Sequence, residues 1–500
     1  MTRPMPQSAT PSATAATLDA HSRAPGPAVN PGELSAGVLG TADIIFMVVA
    51  AAAPMAVVVA LMPMAFGFGN GAGVSGAWLG ALTAMLLFAV GYVRIIPHVR
   101  NAGAFYAYIA ASIGRPWGLG AAYVAAFSYF ALSASTLGAL AFFSEQFLES
   151  VGGQHLHWVA WAFVAIALVG WLSYRRITLA AKVLGIALAA EITIILLLDF
   201  KIVHDVGLRG FDLADFAPRN VFAPGLGIAA IYAFNSMIGV EGTAIYQEEA
   251  RNRTVTIPRA TYLALSLIGL FYVFTAWCMT SSAGASRVAA LARSNPGSFI
   301  ADRSMVHLGQ PGVLAVSILV LSSAFAAVLG LFNNAARYLY ALARDGVLPA
   351  VLARTHPRHH SPHIAGLVLA AALVVVFSGA ALMRLDPLVN VATALAGLGS
   401  VGLMALLGVT ALAIPIFFLR RAVVSLTCTA APVAGGLIIL AATLLAFVNY
   451  QALTGVDSAI INHLPYALIA MFALGMTQAL WLRSRRPDIF ARIGSTRVEG

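Results

Sequence analysis

Apolar runs of roughly 18 to 32 residues recur along the chain with hardly a charge inside them. A helix rises 1.5 Å per residue, so each run is long enough to cross a hydrocarbon core about 30 Å thick. Twelve such segments fall at roughly 41 to 66, 75 to 96, 117 to 147, 157 to 174, 177 to 200, 221 to 247, 259 to 282, 312 to 342, 364 to 383, 388 to 419, 424 to 449 and 465 to 482. Of the 500 residues 60% are apolar and 10% charged, where a soluble protein carries about 25% charged residues. A soluble enzyme is excluded. The fold class is all-α, a polytopic membrane protein of about 12 transmembrane helices.

The net charge of +10, from 29 Lys and Arg against 19 Asp and Glu, would suit nucleic acid in a soluble chain. In a membrane protein, however, inner loops collect Lys and Arg. With the N-terminus in the cytoplasm only Lys201, Arg209, Arg219, Arg287, Arg293, Arg303 and Arg384 fall outside, and every other basic residue falls inside. Both termini are therefore expected in the cytoplasm, with the chain in the plasma membrane, the lipid bilayer as its partner and no nucleic acid. Residues 1–35 are rich in Pro, Ala, Ser and Thr and read as a disordered cytoplasmic tail rather than a signal peptide. Residues 483–500 read as a second tail. Cys278 and Cys428 lie in segments 7 and 11, without the paired spacing of a metal site or disulfide.

Splitting the first ten segments five and five makes the lengths correspond: segments 3 and 8 both run to about 31 residues, and segments 4 and 9 to about 18 and 20. An odd split inverts the second half, giving a first repeat over 36–220, a second over 221–420, and helices 11 and 12 over 421–482. Inverted five-helix repeats are a transporter architecture whose binding site is marked by interrupted helices at corresponding positions. Segments 1 and 6 lead the two halves. Segment 1 holds Ala50-Ala51-Ala52-Ala53-Pro54, where Pro54 has no N–H and clashes with the preceding turn. Segment 6 holds Phe234-Asn235-Ser236-Met237-Ile238-Gly239, a polar pair before a glycine in apolar sequence. Unpaired backbone at membrane depth is tolerated only against protein or a water-filled cavity, so two matching breaks point to a cavity between them.

Four acids lie within the segments away from the loops: Asp43 and Glu145 near ends, Glu191 and Glu241 deeper. A mid-membrane charge costs about 2.5 to 3.5 kcal/mol on insertion scales, so the deep pair is expected to face the bundle interior or to carry protons. No histidine falls mid-span. His356, His359, His360 and His363 crowd one loop without the cysteine or carboxylate company of a metal site, and no metal or cofactor is expected. Gly71-Ala72-Gly73-Val74-Ser75-Gly76 matches a dinucleotide fingerprint but lies between segments 1 and 2, with neither the strand nor the acid that fingerprint needs. With no P-loop or hydrolase motif, the chain reads as no enzyme.

Several stretches then resemble the amino acid-polyamine-organocation transporters. They are the Ala-rich break before Pro54, the run Asn101-Ala102-Gly103-Ala104-Phe105-Tyr106-Ala107-Tyr108 with Gly114, and Ile238-Gly239-Val240-Glu241 followed by Glu248-Glu249-Ala250-Arg251-Asn252 and Ile257-Pro258-Arg259-Ala260. Arg337-Tyr338 and Ala343-Arg344-Asp345-Gly346-Val347-Leu348-Pro349 complete the set, and the resemblance spans roughly 38 to 450. It implies a five-plus-five inverted repeat and an amino acid held between the breaks. Its carboxylate would meet N–H groups at Ala51, Ala52, Ala53 and Met55 around Pro54, and its ammonium would meet carbonyls at Phe234, Asn235 and Ile238, beside Ser236 and Gly239. The ends of broken helices carry partial charges of the matching signs. Tyr123 and Phe127 are expected to wall the side-chain pocket. Asn235 stands where relatives often carry an aromatic gate, leaving Phe234 for that part. Lys182 lies about two turns too near the cytoplasm to act as the segment 5 lysine of many relatives. The matching stretch is Leu188-Ala189-Ala190-Glu191. Coupling falls to Glu191 with Ser322 and Ser323, binding a proton or sodium, or to Glu241 taking a proton.

The leading expectation is a secondary transporter importing an amino acid by alternating access with proton coupling. A polyamine or amine permease or exchanger ranks second, since a cation wants extra acids. An anionic side chain would need a mid-span Arg or Lys, and none is present. A transporter-like nutrient sensor ranks lower because the tails leave little room for a signalling domain.

Overall fold

Why two of the twelve segments differ from plain apolar spans becomes clear once the helices are laid out. The computed structural model describes residues 39–99, 105–153, 155–175, 179–243, 250–357, 361–454 and 458–494. The tail 1–35, Asn101 to Ala104, Glu248, Glu249, His359 and His360 lie outside the described residues, as do the side chains of Ala51 and Lys182. The long helices are α1 (Thr41–Phe68), α2 (Gly71–His98), α3 (Arg115–Ser150), α4 (Trp158–Arg175), α5 (Leu179–Val206), α6 (Leu226–Asn235), α7 (Thr254–Ala283), α8 (Phe299–Arg344), α9 (His363–Leu382), α10 (Pro387–Leu419), α11 (Ala430–Val448) and α12 (Tyr466–Arg485). Among the described residues ten of these, all but α5 and α6, are long and apolar enough to cross a membrane. The described part of α5 carries Glu191, Asp199 and Lys201, while α6 stops after ten residues. The molecule is an all-α, multi-pass membrane protein.

Both expected breaks are present. In α1 the helix stops at Ala52, Ala53 takes the left-handed conformation (φ 46°, ψ 69°), and Pro54 starts the next piece, followed by a π-helical turn over Val57–Leu61. Proline suits a first helical position, where its missing N–H leaves no orphan donor. After α6 the chain turns through Ser236 to Gly239, whose φ of 109° only glycine adopts readily, and enters a short 3-10 turn. α8 breaks once as well, at Gly309 (φ 69°) just before Pro311, so its membrane part begins where the apolar run does.

α3 and α10 form the centre, and small residues bring backbones together there. A side chain at Gly399 or Gly402 of α10 would strike Ser128 and Leu132 of α3, and one at Gly475 of α12 would strike the backbone of Leu119 and Gly120. The outer helices turn large apolar side chains outward, among them Leu168 and Trp171 on α4, Val375 on α9, Leu444 on α11 and Trp481 on α12. Such exposure fits contact with lipid chains.

Candidate functional site

Between the two breaks lies a cavity that opens to solvent. Ala52, Ala53, Ala56 and Val57 of α1 face Tyr232 and Asn235 of α6 and Ile238 of its turn across it. From there it extends past Ala60, Leu61 and Met64 in the later half of α1, Phe143 near the end of α3, and Leu388 and Ala392 at the start of α10. The cavity thus reaches the side where α1 and α3 end and α10 begins. Among the described residues no charged side chain lines it.

Polar groups freed by the α1 break are largely engaged by the protein. The Ala52 carbonyl accepts from Tyr272 Oη of α7 (3.4 Å), and Ala56 N–H donates to Ser323 Oγ of α8 (3.2 Å). Glu191 of α5 is buried and accepts from the Met55 N–H, Ser323 and Ser322, the last at 3.3 Å. A carboxylate at the first N–H groups of a helix is favoured by the local partial positive charge. The sequence reading gave these donors to a substrate. In the structure Met55 instead holds Glu191, while Pro54 and Met55 are buried and do not line the cavity.

At the α6 break Asn235 and Ile238 face the cavity, but Phe234, Ser236 and Gly239 stand behind it. Phe234 and Asn235 carbonyls accept from Met237 and Ile238 N–H (3.0 and 3.1 Å), leaving each one lone pair. Ser236 Oγ accepts from Trp78 Nε1 (3.1 Å) and donates to the Ala233 carbonyl (2.7 Å). Gly239 N–H donates to Glu241 Oε2 (2.8 Å), and Tyr129 Oη donates to Glu241 Oε1 (2.6 Å). Tyr92 Oη donates to the Glu241 carbonyl (2.7 Å), and Tyr92 packs edge-on to Tyr108, Tyr129 against Tyr338 (each 5.6 Å). This buried group of tyrosines fills the bundle on the side of the breaks away from the cavity mouth.

Tyr123 and Phe127 are not among the lining residues. Tyr123 Oη donates to Gln478 Oε1 of α12, whose Nε2 donates to the Val347 carbonyl (2.8 Å), so it ties α3 to the bundle edge. The α3 wall is formed instead two turns further on, by Leu132, Ser135, Thr136 and Ala139. Tyr232, absent from the sequence reading, lines the cavity with a buried hydroxyl that has no partner among the described residues. An aromatic in an apolar run carries no signal of that kind. Ser135 Oγ is already spent on the Ala392 carbonyl (2.7 Å). Away from the breaks, Glu145, Glu149 and His155 bring ligand-type atoms within 4.8 Å of one another at the exposed end of α3.

Comparison with known proteins agrees with this architecture. The amino acid permease family model matches residues 39–495. The branched-chain amino acid permease BcaP of Bacillus subtilis (strain 168) is 24% identical over 345 residues, 65% of this chain and 71% of that one. The low-affinity putrescine importer PlaP of Escherichia coli (strain K12) is 26% identical over 330 residues, 63% and 69% of the two chains. The human cystine/glutamate transporter is 27% identical over 176 residues, 35% and 33%. A bundle of apolar helices with two of them broken around a cavity, matched along nearly its whole described length, makes this chain a member of the amino acid permease family, within the amino acid-polyamine-organocation superfamily.

Proposed function

We propose that this permease imports a neutral amino acid with an aliphatic side chain, by alternating access and with proton coupling at Glu191. The observation that carries the substrate class is the cavity wall. Its side-chain surface is mostly alanine, valine, leucine and isoleucine, with Met64, Phe143 and a few neutral polar groups and, among the described residues, no carboxylate or cation, which favours burial of an apolar group at about 25 cal/mol per Å². The relative named for branched-chain amino acids supports the same reading. The relative named for putrescine favours the amine alternative, but a diamine would leave an ammonium without a counter-charge, since Glu191 and Glu241 stand behind the breaks.

The substrate carboxylate docks at the α1 break and its ammonium at the α6 break, near Asn235 and the Tyr232 hydroxyl. Coupling follows from what Glu191 holds. Ionised, it occupies the Met55 N–H and neutralises the positive end of the second α1 helix; protonated, it leaves that end to attract the incoming carboxylate, so proton and substrate bind together. Sodium held by Glu191, Ser322 and Ser323 is the alternative ion. The two inverted repeats are the moving parts, both termini lie in the cytoplasm of a plasma-membrane protein, and the cavity faces outward.

Uptake of L-leucine into proteoliposomes under an imposed pH gradient tests this. Accumulation that collapses with a protonophore and is lost in Glu191→Gln is expected. Accumulation of putrescine but not leucine would overturn the substrate class, and leucine accumulation driven by sodium at equal pH would overturn the proton.

A further inference from the structure

Asp199 is the acid that neither break uses. It lies on α5, its side chain fully buried, with Oδ2 accepting from Thr275 Oγ1 of α7 (2.7 Å) and Oδ1 without a partner among the described residues. Among the described residues no cation pairs with it, and Lys201, His204 and His307 nearby are each paired with Asp205. Among the described groups facing it, α7 offers, besides Thr275, Cys278, whose Sγ donates to the Asp199 carbonyl (3.8 Å). A buried carboxyl with one bare oxygen and no counter-charge is a poor structural element and a natural holder of a mobile proton.

Polar side chains stand on either side of it along one face of α7. On α7 the residues Tyr272, Thr275 and Ser282 recur at helical spacing on a single face. Ser282 Oγ is hydrogen-bonded to His307 Nε2 (2.7 Å), and His307 Nδ1 to Asp205 Oδ2 (2.9 Å), at the end of α5 where the chain leaves the membrane. His307, Lys201 and His204 hold the Asp205 carboxylate well below its usual range, a standing negative charge at that mouth. In the other direction Tyr272 lies beside Glu191 and bonds the broken end of α1. Glu191 and Asp199 are eight residues apart on one helix, roughly 12 Å by the rise of 1.5 Å per residue.

We propose that Asp199 is the proton relay between the outer His307–Asp205 cluster and Glu191, on a path along the α5–α7 seam separate from the substrate cavity. A proton arriving at His307 passes to Asp199 Oδ1. From there it moves by the Thr275 and Tyr272 hydroxyls, each accepting one proton and giving one up, until Glu191 holds it and Asp199 is again ionised. The proposal rests on the reading of Glu191 as the coupling site.

The test compares two modes in proteoliposomes holding the full chain, with L-leucine as probe and a pH dye inside. Asp199→Asn is expected to lower gradient-driven leucine accumulation and the accompanying acidification at least tenfold, while leucine–leucine exchange at equal pH stays within twofold of the wild type. Wild-type accumulation in Asp199→Asn would overturn the relay and leave the coupling at Glu191 standing. Wild-type protein that exchanges leucine but never accumulates it with a pH gradient would overturn the coupling and the relay together. Should Asp199→Asn lose exchange too, Thr275→Val decides: slowed proton-driven uptake with intact exchange supports the relay, and unchanged uptake overturns it.

Discussion

Glu241 shows how a carboxylate persists at membrane depth: each of its oxygens has a donor, Tyr129 Oη on one and Gly239 N–H on the other. Glu241→Ala removes the acceptor and leaves both donors buried and unpaired, an expected loss of about 2–5 kcal/mol, read from the thermal midpoint in detergent. Glu241→Gln keeps the size and one acceptor, and is expected to recover much of that loss while retaining leucine exchange. Asp215, in the loop between α5 and α6, makes the opposite case. Burial, and then the neighbouring Asp212 charge, push its carboxyl up to about 6 from an ordinary 3.8. The folded state therefore holds the proton more tightly than the unfolded chain, so the stabilisation is complete below about pH 4 and lost as pH rises through about 6. Asp215→Asn is expected to raise the melting midpoint at pH 8, by an amount on the order of 1 kcal/mol, and to leave it unchanged at pH 4. Glu191 and Glu241 were legible in the sequence because a charge inside an apolar run is expensive. Asp199 was not, since it stands one residue from the expected end of its segment at 200, where an acid reads as reaching water.

Helix breaks are a property of elements, and here sequence and structure agree for a physical reason. Pro54 removes an N–H and Gly239 permits a positive φ, so both interruptions are written locally. What fills the break was not legible, because Ser323, Glu191 and Tyr272 come from three other helices and meet α1 only in the folded bundle. Ser323→Ala strips the Ala56 N–H of its partner and is expected to cost about 1–3 kcal/mol, measured by the same melting assay. The seam between α3 and α12 makes a sterner demand. A Cβ at Gly475 would lie 2.7 Å from the Leu119 carbonyl oxygen and 2.8 Å from Gly120 Cα, backbone atoms that can yield only if the helices part. Gly475→Ala is expected to destabilise by about 1–3 kcal/mol, and Gly120→Ala, whose nearest contacts are to the Phe472 ring, by less.

For the whole molecule the position of the cavity relative to the tyrosine group defines a state. The mouth runs along the later half of α1 and the start of α10, whereas beyond the breaks Tyr92, Tyr106, Tyr108, Tyr129 and Tyr338 close the bundle by ring contacts and hydrogen bonds. Tyr338 comes from α8, far in the sequence from the other four, and meets them only in the folded bundle, which is why the closed side could not be read from it. Alternating access requires the two sides to exchange roles, and a substrate biases that exchange only by its differential affinity for the two states. Cysteine accessibility makes the exchange visible, because Cys278 and Cys428 are both buried and give little background. Ala392→Cys, in the cavity wall, is expected to react with a membrane-impermeant maleimide added outside right-side-out vesicles, and severalfold more slowly in excess leucine. Ala107→Cys, fully buried beside the tyrosines, is expected to stay unlabelled from either side at rest and to become reactive from the inner side during leucine efflux. Labelling of Ala392→Cys only from the inner side would reverse the assigned orientation. Ala107 labelling at rest would show that the tyrosine group does not seal the bundle.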